Sequence, residues 1–293
     1  MAEVTKTEPQ SANDYDDRTT AAVKATLVEI GQILGSYQGK FAIIGGSVPW
    51  LLLDNKEMPH VGTVDVDLGL DHEALAGGEY AGLVEQLMKN GYEQRTDLKR
   101  FQLVRTVPAT DGGAAISVIV DFLMPRDADV AKNEPVLIEN FAVQKASGAD
   151  LALKFNEVVA VSGKMPDGGT NKVEIAVASI PALLAMKGFA VKLRKKHKDA
   201  YDIYYCVRNY PGGIEALAKA SMPLLEHASG KQGFAHIAEK FDDPDGFGPT
   251  CVRLFVEETK ILGERTAEQW QQDAYGQVNA LLQALGLAEQ TTK

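Results

Sequence analysis

The sequence predicts an α+β protein: a mixed sheet with flanking helices, followed by an all-helical region. Three observations carry this. Residues 18–178 interleave short apolar or alternating segments with helical stretches. After Ser179 the periodicity is helical throughout. The chain has 293 residues, 45% apolar and 24% charged, which is globular composition and long enough for two domains. The expected organisation is a polar, acidic, disordered tail over 1–17, a mixed domain over 18–178 and a helical domain over 179–293.

Taken in order, Ala22, Val23, Leu27, Ile30, Ile33 and Leu34 recur at helical spacing between Arg18 and Tyr37. Phe41-Ala42-Ile43-Ile44 is a short buried strand that runs into Gly45-Gly46-Ser47, where a second helix carrying Trp50 to Leu53 starts. Val64 to Leu70 alternates, with Val64, Val66, Leu68 and Leu70 on one side and Asp65, Asp67 and Gly69 on the other. Glu79 to Asn90 is a helix closed by Gly91. Phe101–Val107 and Ala115–Leu123 are strands joined through Asp111-Gly112-Gly113, a hairpin signal. Shorter strands follow at Val158–Gly163 and Lys172–Ala178, around the turn Pro166-Asp167-Gly168-Gly169. Ser179 can cap a helix with Pro181 in its first turn, Pro249 opens another, and Trp270 to Leu285 is the last.

Composition excludes several classes. Thirty Lys+Arg against forty Asp+Glu give a net charge of −10, against a generally basic nucleic-acid-coating protein. Two cysteines, Cys206 and Cys251, exclude a disulfide scaffold and an all-cysteine zinc site. No apolar run reaches the ~18 residues of a membrane span. The N-terminus lacks the pattern of a secretory signal, so a cytoplasmic protein is expected. No Gly-x-Ser-x-Gly elbow, P-loop or His-Glu-x-x-His motif is present.

The chemistry-bearing residues are acidic. Asp65 and Asp67 are two apart on a strand, so they point the same way with Cα atoms ~6.6 Å apart. Side by side they repel, a cost that a cation removes, and oxygen-only ligands suit Mg²⁺ or Mn²⁺ rather than zinc. Asp121 lies inside Ile116–Leu123, the most apolar strand, where a lone carboxylate is costly unless paired or metal-bound. If the two strands are neighbours, three carboxylates converge, enough for two divalent ions. A solvated Asp-x-Asp pair at a strand end is the plain alternative. Gly45-Gly46-Ser47 would let a phosphate approach the backbone and a hydroxyl, or it is a tight turn only. Lys187 sits alone in an apolar stretch, and Lys192, Arg194, Lys195, Lys196 and Lys198 crowd into seven residues before Asp199 and Asp202. That basic helix could meet triphosphate or a nucleic-acid backbone, or it is a solvated face in which Lys198 pairs with Asp202.

Together these motifs resemble the nucleotidyltransferase superfamily of the DNA polymerase β type. Leu183-Leu184-Ala185-Met186-Lys187, then Arg194 and Lys198-Asp199-Ala200-Tyr201-Asp202-Ile203-Tyr204, resemble the AbiEii/AbiGii toxin family within it, over roughly residues 20–210. The resemblance implies a minimal nucleotidyltransferase sheet with a helical domain closing over a cleft, an NTP substrate, two Mg²⁺ ions and transfer of a nucleoside monophosphate. It implies that Gly45, Gly46 and Ser47 hold the triphosphate with Lys187, Arg194 and Lys198. Asp65, Asp67 and Asp121 would ligate metal, Asp121 would help deprotonate the acceptor, and Asp202 would orient Lys187. The implied acceptor is RNA, a tRNA end, and the implied partner is a cognate antitoxin. The chain departs from the family where Gly-Gly-Thr-Ala becomes Gly-Gly-Ser-Val-Pro and where an Arg before Asp-x-Asp is replaced by Val61-Gly62-Thr63. Modification of a small molecule or protein, and a catalytically silent nucleotide-binding module, are the alternatives.

Overall fold

The computed structural model describes residues 15–53, 55–75, 78–109, 112–127 and 142–288. Most of the expected N-terminal tail, and Asp111 of the hairpin turn, lie outside them. The chain divides into two compact units, with Pro49–His60 joining Ser179–Lys293 in the second.

The first unit begins with α1 (Asp17–Ile33), capped by Asp16, whose carboxylate accepts from the Thr19 amide at 2.7 Å. The expected tail therefore stops short of residue 17, because Asp16 is already a capping residue. Then come β1 (Phe41–Ile44), α2 (Ser47–Leu52, whose residues from Pro49 on count with the second unit), β2 (Asp65–Leu70), α3 (Glu79–Lys89), β3 (Tyr92–Glu93), β4 (Gln102–Val107), β5 (Ile116–Pro125), β6 (Gln144–Ala146), α4 (Ala149–Lys154), β7 (Asn156–Lys164) and β8 (Thr170–Ala178). They form an eight-stranded mixed sheet in the order β3-β4-β5-β2-β1-β8-β7, with β6 beside β5. β2 runs antiparallel to β1 and parallel to β5.

One face of this sheet is the core. Val66, Leu68, Leu70, Val118, Val120 and Phe122 are all fully buried on it. α1 packs there: a side chain at its Gly31 would meet Val173 of β8 at 2.6 Å. Glu29 of α1 takes a bidentate hydrogen bond from Arg105 of β4, at 2.8 and 2.9 Å, in a part of the interface with little solvent. Glu29 pays for its burial this way, since a buried carboxylate needs a hydrogen-bonded partner.

The second unit is helical, with α5 (Ile180–Leu193), α6 (His197–Asn209), α7 (Gly213–Ser221), α8 (Ala228–Lys240), α9 (Phe247–Thr259) and α10 (Ala267–Ala284). Ser179 caps α5 and accepts from the Ala182 amide. The expected basic helix is two helices. α5 ends at Leu193, and Arg194 and Lys196 have extended backbone before α6 begins. Helix α9 starts at Phe247, two residues before Pro249, because proline fits any position of a first turn. A capping box between Thr266 and Gln269 starts α10.

α5 and α8 cross at backbone contact. A Cβ on Gly188 would lie 1.9 Å from the Gly233 carbonyl oxygen, and one on Gly233 would lie 2.3 Å from that of Ala185. Gly188→Ala therefore forces the helices apart. Overpacking of this kind costs ~1–3 kcal/mol or more, above the roughly 1 kcal/mol that alanine gains as a helix former. The urea midpoint of unfolding is expected to fall, and an unchanged midpoint contradicts the close crossing.

Candidate functional site

The three acids lie on one face of the first unit's sheet. In β2, Asp65 and Asp67 are half-buried while Val66 and Leu68 between and after them are buried. In the parallel pairing, Asp67 stands opposite Asp121 and Asp65 opposite Ile119. Paired positions on neighbouring strands share a face, so Asp121 points the same way as Asp65 and Asp67, away from the apolar core. Asp121 is itself half-buried, between the buried Val120 and Phe122. Adjacent strands lie ~4.8 Å apart, which makes Asp67 and Asp121 immediate neighbours.

The glycine-rich turn meets this face at Asp67. β1 ends with Ile44 opposite Asp67. Gly45 follows with φ +71°, and a Cβ there would be 1.8 Å from Asp67 Oδ2. Both the backbone conformation and the space require glycine. The Ser47 side chain is buried at the start of α2, and its Oγ has no hydrogen-bond partner among the described residues.

Neighbouring side chains hold two of the carboxylates. Thr63 Oγ1 donates to Asp65 Oδ1 at 2.8 Å, and Gln102 Nε2 donates to Asp121 Oδ1 at 2.8 Å. Among the described residues no group of three or more His, Cys, Asp or Glu side chains is gathered in a way that could hold a metal ion. The expectation of converging carboxylates is thus met in strand register and face but not in a closed ligand set. Repulsion between neighbouring acids favours turning each toward a neutral donor. The donor set still fits a hard cation: oxygen ligands only, on a part-exposed face, with the unpartnered Ser47 hydroxyl at the same strand end.

In the second unit the expected cations are not free. Lys187 is buried, with Nζ 2.7 Å from Asp199 Oδ1 and 2.7 Å from Asp202 Oδ2. Lys198, also buried, donates to both oxygens of Asp202 at 2.9 and 3.1 Å. Arg194 grips Asp199 through Nε and Nη2 at 2.6 and 3.0 Å, with its side chain 56% exposed. The expectation of a basic cluster open to triphosphate or RNA is corrected for Lys187 and Lys198, because each is bound to carboxylates supplied by α6. Asp202 does hold Lys187, the geometry expected of it. Tyr201, Tyr204 and Tyr205 are fully buried packing residues.

His60 completes the cluster, its Nε2 3.1 Å from Asp202 Oδ1 and its ring edge-on to Tyr205. Burial, then the nearby Lys198 charge, lowers its pKa to about 4. Burial works against the charge of Asp202, but Lys187 and Lys198 outweigh it and hold that carboxyl well below the usual range. Asp199, likewise buried and then favoured by Lys187 and Arg194, falls to about 2. The two lysines move oppositely. Burial opposes both charges, and Lys187, with two acids, ends raised while Lys198, with one, ends lowered.

A pH dependence follows. The unfolded chain protonates His60 near pH 6.5, whereas the folded chain resists until about pH 4. Stability from this group is complete above pH 6.5 and is lost as pH falls to 4, by roughly 3 kcal/mol in all. Unfolding free energies across that window should fall more steeply for the natural chain than for His60→Gln. Equal slopes contradict the buried neutral imidazole.

Gln102, Thr63 and His60 were not singled out by the sequence. The hairpin turn could have found Gln102, since strands centred on Asp111–Gly112 place it opposite Asp121. Nothing local marks His60, whose partner is 142 residues away.

No family model and no curated protein matches the chain. Among solved structures it is similar to one described as "putative nucleotidyltransferase from H. pylori", at 13% identity and a TM-score of 0.46, covering 92% of this chain and 98% of that one. No described helix is long and apolar enough to cross a membrane.

Proposed function

We propose that the chain is a metal-dependent nucleotidyltransferase that moves a nucleoside monophosphate from an NTP to an acceptor hydroxyl. The observation that carries this is the register of Asp67 opposite Asp121, with Asp65 on the same face and Gly45 against Asp67. The motif resemblance supports it. Asp65, Asp67 and Asp121 would hold Mg²⁺ or Mn²⁺. A cation bound there supplies charge neutralisation for the triphosphate and for the transferring phosphoryl group.

The chain's own residues do the rest. Gly45 and Gly46 let the triphosphate approach the backbone, and the Ser47 hydroxyl, buried without a partner among the described residues, would donate to it. Gln102 fixes the orientation of Asp121, which takes the acceptor's proton. The acceptor oxygen bonds to the α-phosphorus, the bond to the bridging oxygen breaks, and pyrophosphate leaves. The tRNA acceptor and antitoxin partner that the resemblance implies gain no support from the cation cluster, because Lys187 and Lys198 are engaged by Asp199 and Asp202.

A silent nucleotide-binding module is the second reading, favoured by the carboxylates' engagement with Thr63 and Gln102. Incubation with each α-labelled NTP, Mg²⁺ and acceptors of RNA, protein and small-molecule type separates the two. Label transfer supports the enzyme, and calorimetric NTP binding without transfer to any acceptor supports the module.

A further inference from the structure

The sheet ends unequally. At one edge β3 has two residues, a short and therefore harmless edge. At the other, β7 runs nine residues, and its register with β8 is unbroken from Asn156↔Ala178 to Lys164↔Thr170, without a bulge. The strand has no proline, and its only charges, Glu157 and Lys164, lie toward its two ends. On one face Val161 is buried and Gly163 lies against Lys24 and Val28 of α1. On the other, Asn156, Val158, Ala160, Ser162 and Lys164 are all exposed, Val158 by 60%. Among the described residues no strand pairs with the outer edge of β7. Long edges without a bulge are templates for pairing with another chain, and natural proteins usually blunt them with proline, bulges or charges.

We propose that β7 is a self-association edge, at which two copies of this chain pair antiparallel about a two-fold axis through Ala160. A second copy of the strand meets this edge without a charge clash. Centring on Ala160 is the two-fold register that pairs all nine residues: Asn156 with Lys164, Glu157 with Gly163, Val158 with Ser162 and Val159 with Val161. No like charges then face each other. Parallel pairing would set Glu157 on Glu157 and Lys164 on Lys164, which is destabilising. An isologous contact of this kind closes at two copies and builds no fibre. Nine residues a side is well below the ~20–30 of a standard interface, so the dimer is reversible, with a dissociation constant on the order of micromolar.

Sedimentation of the full chain over a concentration series tests this. The natural chain is expected to approach twice its monomer mass with rising concentration. Ala160→Lys and Ala160→Glu each place two like charges at the axis and should stay monomeric, while their mixture should restore the dimer. Val158→Lys, on the same exposed face, should also weaken association, and it stands in if either substitution at 160 unfolds the chain. A natural chain that stays monomeric at hundreds of micromolar overturns the proposal. So does a dimer untouched by these substitutions, or a mixture of folded charge variants that fails to associate.

Discussion

Asp67→Asn is expected to lower nucleotidyl transfer by about a hundred-fold or more while leaving the protein as stable as before. The substitution keeps the shape and removes the charge. A cation clamp on a transferring phosphoryl group is worth several kcal/mol, and each 1.4 kcal/mol is tenfold in rate. Asp67 stands opposite Asp121 and two residues from Asp65, so neutralising it relieves repulsion in the folded state. The melting temperature should therefore hold or rise slightly. That pairing of lost activity with kept stability separates a ligand of the site from a structural residue. Loss of both together would make Asp67 a packing element of the Gly45 turn instead.

Asp202→Ala is expected to do the reverse and act on stability first. The side chain is fully buried and takes Lys187, Lys198 and His60 at once. Its removal leaves Lys198 a buried cation without the carboxylate it bonds, and Lys187 with Asp199 alone. Breaking a buried pair from one side costs ~3–5 kcal/mol. Native stability is about 5–15 kcal/mol, so roughly a fifth or more of it is lost. At roughly 2–4 °C per kcal/mol, melting should drop by about 10 °C. Removing the charge from both sides, as in Lys198→Met with Asp202→Leu, should cost less than the single change, because no uncompensated cation remains. A double variant less stable than Asp202→Ala would contradict this account of the cluster.

How much of this was legible in the sequence differs by element. The alternation of Val64 to Leu70 placed Asp65 and Asp67 on the face away from the core, because period two leaves one answer once the apolar side is known. Asp121 stood out because an acid inside Ile116–Leu123 needs a reason. That β2 and β5 are parallel neighbours with Asp67 facing Asp121 is a long-range fact that no local pattern carries. Short elements such as β6 and α4 leave no legible pattern, since three to six residues show too little periodicity. The cations after Lys187 were visible as charge, but their burial was not. Charge runs mostly line solvated faces, and only the fold shows that Asp199 and Asp202 turn Lys187 and Lys198 inward. The break at Arg194 to Lys196 was equally hidden, because those residues are ordinary helix formers.

The proposed activity requires Asp65, Asp67 and Asp121 to act as one metal-holding set. Calorimetric titration of Mn²⁺ into the natural chain with a non-hydrolysable NTP, and into Asp67→Asn and Asp121→Asn, tests it most directly. Saturable binding to the natural chain is expected, with each single substitution weakening it by at least tenfold. Binding of equal strength in all three would contradict it.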